Sequence, residues 1–345
     1  MSLLTSVAGI ASDESARTWY RDRRVLVVGA DGFLGFNCVR ALAQLGSKIS
    51  VTTRSASSRV RSLSERIFEG DISNPLLARR AVDNQDLVID LAGSIGAVPS
   101  NQYPVASLEQ DCRLHLTLLE ACAEARPSPI VLFASSRLVY GRPMYLPVNE
   151  RHPLRPQSMY AVHKIAVENY LQVMGQSSAL RSCIFRISNP YGPYQSERSR
   201  GYGILNRFLR SAARGDEIVV YGDGKQIRDY IYVEDVVGAF LLAATEEKCF
   251  GEIFNLGGET VISLADAARE IATLGGSTPI SFKPWPEEAQ AVETGDYHTD
   301  STRLHEFLKL PPATPWTAGL SESLQFYRNE ARAAVLSFEA AGAAI

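Results

Sequence analysis

The run Arg24-Val-Leu-Val-Val28-Gly29-Ala-Asp31-Gly32-Phe33-Leu34-Gly35 constrains the fold more than any other stretch of this chain. Its first part, apolar after Arg24, fits a parallel strand buried on both faces, the kind found where helices cover a sheet from both sides. The glycines that follow permit a tight turn and a close approach of the backbone to a neighbouring group. A helix then begins, with Phe33, Leu34, Val39, Leu42 and Leu45 as its apolar set and Gly46 closing it. Strand, glycine turn and helix in that order aim free N–H groups and the positive end of a helix dipole at one point. The segment therefore predicts a seat for the phosphates of a dinucleotide, built around Gly29, Asp31, Gly32, Phe33, Leu34 and Gly35. A second strand, Lys48-Ile-Ser-Val-Thr-Thr53, follows as a βαβ unit requires.

Alternation continues to about Ile187, with strands expected at Val25–Val28, Ile49–Thr52, Arg66–Phe68, Leu87–Leu91, Ile130–Phe133 and Ser182–Ile187. This predicts an α/β fold, a Rossmann-type doubly wound parallel sheet over residues 23–188. After Asn189 the pattern breaks at Pro190, Gly192, Pro193, Gly201 and Gly203, and short helices are expected at Leu205–Arg214, Glu234–Thr245 and Leu264–Leu274. Residues 189–330 then read as a smaller substrate-binding lobe that exchanges segments with the first. Residues 1–22 read as a surface or disordered extension, and 331–345 as a helical tail with a frayed end.

In 345 residues, 46% of them apolar, there is ample material for a large core. The net charge of −3 leaves no basic footprint for nucleic acid. The apolar run near the N-terminus is too short to span a membrane, and no basic segment precedes it as a secretory signal would require. Five cysteines without a Cys-x-x-Cys pair fit reduced thiols and a cytoplasmic protein. The five histidines form no metal motif.

A serine at the end of the fifth strand, Ser136, and a Tyr-x-x-x-Lys pair, Tyr160 and Lys164, supply candidate chemistry. A phenol with an ordinary pKa near ~10 is a weak base at neutral pH. A lysine one helical turn away, on the same face, stabilises the phenolate and moves it towards the working range. Ser136 would hold the same substrate oxygen, while a nicotinamide takes or gives the hydride.

The glycine turn with the Tyr-x-x-x-Lys pair resembles the extended short-chain dehydrogenase/reductase family, and more closely its nucleotide-sugar epimerase/dehydratase branch. The resemblance runs from about Arg24 to Tyr327. It includes Asp71-Ile72, Leu91-Ala92-Gly93, Ser135-Ser136-Arg137-Leu138-Val139-Tyr140-Gly141, Arg186-Ile187-Ser188-Asn189-Pro190 and the stretch from Tyr221 through Arg228 to Asp235. It implies that Asp71, Ile72, Leu91, Ala92, Gly93 and Pro190 join the glycine turn, Tyr160 and Lys164 around the cofactor. It also implies that Asn189 and Arg228 hold a nucleotide diphosphate, with Ser136 and Arg137 facing the sugar. A homodimer built from a helix at about Val105–Ala125 and the helix bearing Tyr160 is the corresponding expectation, although Cys112, Leu116 and Leu119 could equally be core.

Relatives that eliminate water or decarboxylate carry acidic residues just after the serine or threonine, and relatives that epimerise by proton abstraction from carbon carry a cysteine. Arg137 and Leu138 provide neither. The reaction left is hydride transfer at an alcohol or ketone carbon, most often C4 of a hexose. In NAD-binding relatives a carboxylate ends the second strand; here Thr52-Thr53-Arg54-Ser55 stands there. Arg54, with Arg59 as a substitute, suits a 2′-phosphate, so NADP(H) is favoured and NAD(H) remains possible, with no metal. A 4-keto-sugar reductase is slightly favoured over a nucleotide-sugar 4-epimerase with a tightly bound cofactor, and a reductase of a non-sugar ketone comes third. Two residues depart from the family pattern: Glu293-Thr294 where many relatives place a phosphate-binding arginine, and Asp111 where asparagine is usual.

Overall fold

The computed structural model describes residue 10 and residues 13–93, 96–178, 180–197 and 203–342, with side chains as far as residue 333. Gly201 and parts of the expected N-terminal extension and C-terminal tail lie outside these residues.

Among the described residues there are twelve strands: β1 (Arg24–Val28), β2 (Lys48–Thr53), β3 (Arg66–Glu69), β4 (Leu87–Asp90), β5 (Ile130–Ser136), β6 (Ser182–Ile187), β7 (Asn189–Tyr191), β8 (Ile218–Tyr221), β9 (Ile227–Tyr232), β10 (Ile253–Leu256), β11 (Thr260–Ser263) and β12 (Ile280–Lys283). Seven form one sheet in the order β10-β6-β5-β4-β1-β2-β3, parallel throughout. Val25 is registered with Ile49 on one side and Leu87 on the other. The strand order reverses between β1 and β4, which opens a crevice at their carboxyl ends, directly above Gly29 and the 91–93 loop. Each expected strand is found. β4 ends one residue earlier than expected, and β5 runs on to Ser136, carrying it to the edge of the crevice. The seventh strand, β10, comes from after residue 189 and pairs with β6, so the chain returns to the main sheet.

The main helices are α1 (Glu14–Tyr20), α2 (Phe33–Gln44), α3 (Pro75–Val82), α4 (Leu114–Glu124), α5 (Met159–Ser178), α6 (Ile204–Arg214), α7 (Val233–Thr245), α8 (Leu264–Gly275) and α9 (Trp316–Gly342). One face of the sheet buries Val25, Val27, Ile49 and Leu132 against Val39 and Leu42 of α2 and Val237 and Leu241 of α7. The other buries Leu26, Val88 and Phe133 against α3, α4 and α5. A separate core joins α6, α8 and α9 to β8 and β9 through Phe208, Ile271 and Leu324. The smaller sheets run β11-β9-β7 and β12-β8.

Two expectations change, at the N-terminal segment and at the helix expected over 105–125. Residues 13–22 are not loose surface chain: Asp13 caps α1, and Tyr20 is fully buried with its hydroxyl donating to Leu241 O at 2.8 Å. The helix expected at about Val105–Ala125 is three joined pieces, Pro104–Leu108, a π-turn at Glu109–Arg113, and α4. The π-turn lets Asp111 and Cys112 face inwards together. The tail after Arg328 is the end of a long helix that starts at Trp316, held by the Tyr327 hydroxyl donating to Gly192 O at 2.9 Å.

Candidate active site

The glycine turn is a cradle that no side chain would fit. Gly29 has φ +81°, and a Cβ there would stand 3.1 Å from Leu91 O; at Gly35 it would collide with Gly29 O at 2.1 Å. Gly32 caps α2 without a side chain, and no acidic residue stands in the first turn, so its leading N–H groups face the crevice. Phe33, the first residue of α2, and Ile72, after β3, are both buried. Asp71 follows β3 and accepts from Ser73 N at 2.9 Å, while Leu91, Ala92 and Gly93 follow β4, Ala92 N donating to Asp90 Oδ1. These residues fit a dinucleotide in shape and polarity.

The end of β2 is not without a carboxylate. Asp31 reaches across from the glycine turn and accepts from Thr53 Oγ1 at 3.1 Å and from Ser57 through both its N–H (3.1 Å) and its hydroxyl. Arg54 is exposed. Arg59 is occupied elsewhere, its guanidinium 4.8 Å from the Phe36 ring centre and 5.8 Å from that of Tyr194.

Ser136 is the last residue of β5, its hydroxyl accepting from Leu138 N at 3.2 Å and starting the single turn Arg137–Tyr140. Tyr160 lies in the first turn of α5, its N–H donating to Ser100 Oγ at 2.9 Å. Lys164, 3% exposed, donates from Nζ to Ala134 O at 2.8 Å, two residues before Ser136. Its Nζ is 5.7 Å from the Tyr160 ring centre. β5 and α5 thus bring the serine, the tyrosine and the lysine to one corner of the crevice. Burial lowers the Lys164 pKa, and Asp90, Asp111, Glu168 and Cys112 partly oppose that.

Sequence reasoning missed the polar groups packed behind this corner. His115 Nδ1 and Asp90 Oδ2 lie 2.7 Å apart, both fully buried. Ser107 Oγ donates to Asp111 Oδ2 at 2.7 Å and meets His163 Nδ1 at 3.2 Å. Arg186 forms a buried ion pair with Glu168 at 2.7 Å and donates to the Tyr140 hydroxyl at 2.9 Å. A usable signal existed for some of these. Asp90 interrupts an apolar strand, and Glu168 stands four residues after Lys164 on the same helix face.

On the substrate side, β6–β7 and β9 bring Asn189, Arg228 and Arg137 together. Asn189 donates to Asp229 O at 2.9 Å and Ser188 Oγ at 3.0 Å, and accepts from Arg137 Nε at 3.2 Å. Arg137 also donates from Nη1 to Thr294 Oγ1 at 3.0 Å and lies over the Tyr297 ring at 4.8 Å. Arg228 donates to Gly295 O and forms an ion pair with Glu293. Glu293, expected only as a missing arginine, is thus the internal partner of Arg228. Pro190 follows Asn189 in β7, where it is registered with Ile231 of β9.

A doubly wound sheet with a glycine cradle at its reversal point and a Ser/Tyr/Lys corner defines an NAD(P)-dependent enzyme of the extended short-chain dehydrogenase/reductase type. More particularly, the chain belongs to the NAD dependent epimerase/dehydratase family, which it matches over residues 25–257. It is 28% identical to UDP-N-acetyl-alpha-D-glucosaminuronate decarboxylase of Bacillus cytotoxicus, over 89% of this chain and 98% of that protein. It is also 28% identical to UDP-glucose 4-epimerase of Mycolicibacterium smegmatis, over 90% of this chain and 100% of that protein. Among solved structures it is similar to MoeE5 in complex with UDP-glucuronic acid and NAD, with a TM-score of 0.80, 27% identity and coverage of 89% and 99%.

Proposed function

We propose that the protein is a nucleotide-sugar 4-epimerase that keeps NAD(H) bound through the cycle. The observation that carries this reading is the corner itself: Ser136, Tyr160 and Lys164 stand beside the cradle, and the turn after Ser136 offers Arg137 and Leu138 where elimination would need an acid and a base.

When bound, the nicotinamide supplies the acceptor and donor of the hydride. Gly29, Gly32 and Gly35 would seat its pyrophosphate and Asp31 its adenosine ribose, with Asp71, Ile72, the 91–93 loop and Pro190 along its length. Tyr160, as phenolate, takes the proton of the sugar hydroxyl as that carbon becomes a ketone, and Ser136 holds the oxygen in place. Lys164 lowers the cost of the phenolate. The ketone turns over within the crevice, and Tyr160 returns the proton to an alcohol of opposite configuration. Asn189 and Arg228 would hold the diphosphate about which the sugar turns.

Asp31, which accepts from Thr53 at the end of β2, supports NAD(H), because a 2′-phosphate placed there would face a carboxylate. MoeE5 holds NAD as well. The exposed Arg54 favours the second reading, a 4-keto-sugar reductase using NADPH. The test is to denature the purified protein, identify the released nucleotide, and then offer UDP-glucose to intact enzyme. Co-purified NAD(H) and formation of UDP-galactose, or of the 4-epimer of a related UDP-sugar, with no net change in reduced nicotinamide are expected. Stoichiometric loss of added NADPH with a 4-keto sugar would replace this reading with the reductase.

The same reading includes a homodimer through α4 and α5, argued below.

A further inference from the structure

Arg137 is a buried cation whose hydrogen-bond partners are neutral. The two bonds it makes, to Asn189 Oδ1 and Thr294 Oγ1, use two of its five N–H donors. The neighbouring Arg228 differs, because Glu293 matches its charge. The carboxylates that act on Arg137 are Asp229 and Glu293; Asp229 is itself buried, with its pKa raised by that burial, and Glu293 is paired to Arg228. Burial also lowers the Arg137 pKa to about 10, and Arg228 adds to the shift. Asp229 and Glu293 act on Arg137 only at longer range, and no carboxylate of the described residues stands at ion-pair distance from it, an arrangement that leaves a buried cation incompletely matched. A fold retains such a group where a ligand completes it, and Arg137 adjoins the candidate catalytic serine.

Its position selects which part of a substrate it meets. Ser136 holds the oxygen on the reacting carbon, and Arg137, the next residue along the chain, reaches Asn189 through Nε, so it stands between the reacting corner and the residues assigned to the diphosphate. In a hexopyranose reacting at C4, the exocyclic C6 group is one ring atom from that carbon, whereas the diphosphate on C1 lies across the ring. The planar guanidinium, fixed by Asn189, Thr294 and the Tyr297 face, presents its remaining donors as a fork that matches a carboxylate. We infer that Arg137 receives a carboxylate carried on the sugar, so that the preferred substrates are nucleotide-activated uronic acids or other carboxylated sugars. This inference rests on the nucleotide-sugar reading above and narrows its substrate class.

The experiment is isothermal titration of the holoenzyme with UDP, UDP-glucose and UDP-glucuronate, using the unmutated protein, Arg137→Gln and Arg137→Lys. Unmutated protein is expected to bind UDP-glucuronate at least about 10-fold more tightly than UDP-glucose, the weight of one charge-assisted contact. Arg137→Gln should remove that advantage, with a clearly smaller loss for UDP and UDP-glucose because Asn189 loses its Arg137 bond, and Arg137→Lys should restore part of it. No preference for UDP-glucuronate in the unmutated protein overturns the inference whether or not the variants fold. An equal loss for UDP alone in Arg137→Gln also overturns it, because the cation would then serve the diphosphate. Failure to bind UDP itself would instead remove the nucleotide-sugar reading, and the inference with it.

Discussion

Burial and charge act against each other at Lys164. Removing the amine from water favours its neutral form, while Asp90, Asp111 and Glu168 favour the ammonium, and the net effect is a lowered pKa. An ammonium that parts with its proton more easily than usual, beside the Tyr160 ring, is suited to passing protons to and from a phenolate. We expect Tyr160→Phe to keep cofactor binding and lose about 10²–10⁴ in turnover, the usual weight of a positioned acid/base. Lys164→Met should weaken both. A Tyr160→Phe enzyme with near-normal turnover, measured with cofactor occupancy confirmed by released nucleotide, would remove the tyrosine from the reaction. The pairing of Tyr160 with Lys164 was legible in the sequence because residues four apart on a helix share a face. Asp111 and His163 were not legible as neighbours, because only the folded packing of the π-turn on α5 brings them to Ser107. Arg137 was read for the acid it replaces, and what it touches depends on Thr294 and Tyr297, more than a hundred and fifty residues away in sequence.

At the level of elements, α7 shows how one buried group can set the pH response of a helix. Glu234 stands in its first turn, almost wholly buried, with Oε2 lacking a hydrogen-bond partner among the described residues. Burial pushes its pKa up to about 8, Arg40 at 3.7 Å offsetting part of this and Glu322 and Asp235 adding to it. The folded protein therefore keeps a proton that the unfolded chain releases near its ordinary pKa of 4.5. Folded protein binds more protons across that window, so this group's contribution to stability is full below it and is lost as pH rises through about 8. Glu234→Gln, neutral at every pH, should be near-neutral in effect at about pH 5 and stabilising by roughly 1–3 kcal/mol at about pH 8.5. Urea unfolding at both pH values checks this, and an equal change at the two would exclude the titration. The helix α7 itself was plain in the sequence, since its apolar run has no competing reading. The docking of α1 on it was not. Tyr20 and Ala16 are too few to show a period in so short a segment, and their burial depends on Leu241 and the rest of α7 already being in place.

At the scale of the whole molecule, the doubly wound sheet was legible because its strands are apolar throughout, while β10 was not, since a short strand after an irregular stretch reads equally well as part of a lobe. What the sequence left open, core or interface at the helices beside the site, the burial pattern addresses. Cys112 and Leu119 are core, but Leu116 is exposed, as are Val105 and Leu108 before it and Met159, Val162 and Val173 on α5. Val162 and Val173 are eleven residues apart, close to three helical turns, so they fall on one stripe of α5. The opposite side of that helix buries Lys164, Val167 and Leu171. Large apolar residues gathered on two neighbouring helices mark an association surface more often than scattered ones do, and a self-complementary patch closes as a two-fold dimer. The protein is expected to run as a dimer in size-exclusion chromatography with light scattering at about 10 µM, within the usual stability of dimers burying such helices. Val162→Glu places a charge at the centre of the stripe without touching the core, and should shift the protein to monomer by at least about 10-fold in dissociation constant, since an unpaired buried charge costs more than one such factor. Unmutated protein that is monomeric, or a Val162→Glu variant that stays dimeric, would place the contact elsewhere. Because α5 carries Tyr160 and Lys164 on its inner side and this stripe on its outer side, the same helix would then link assembly to the candidate catalytic corner.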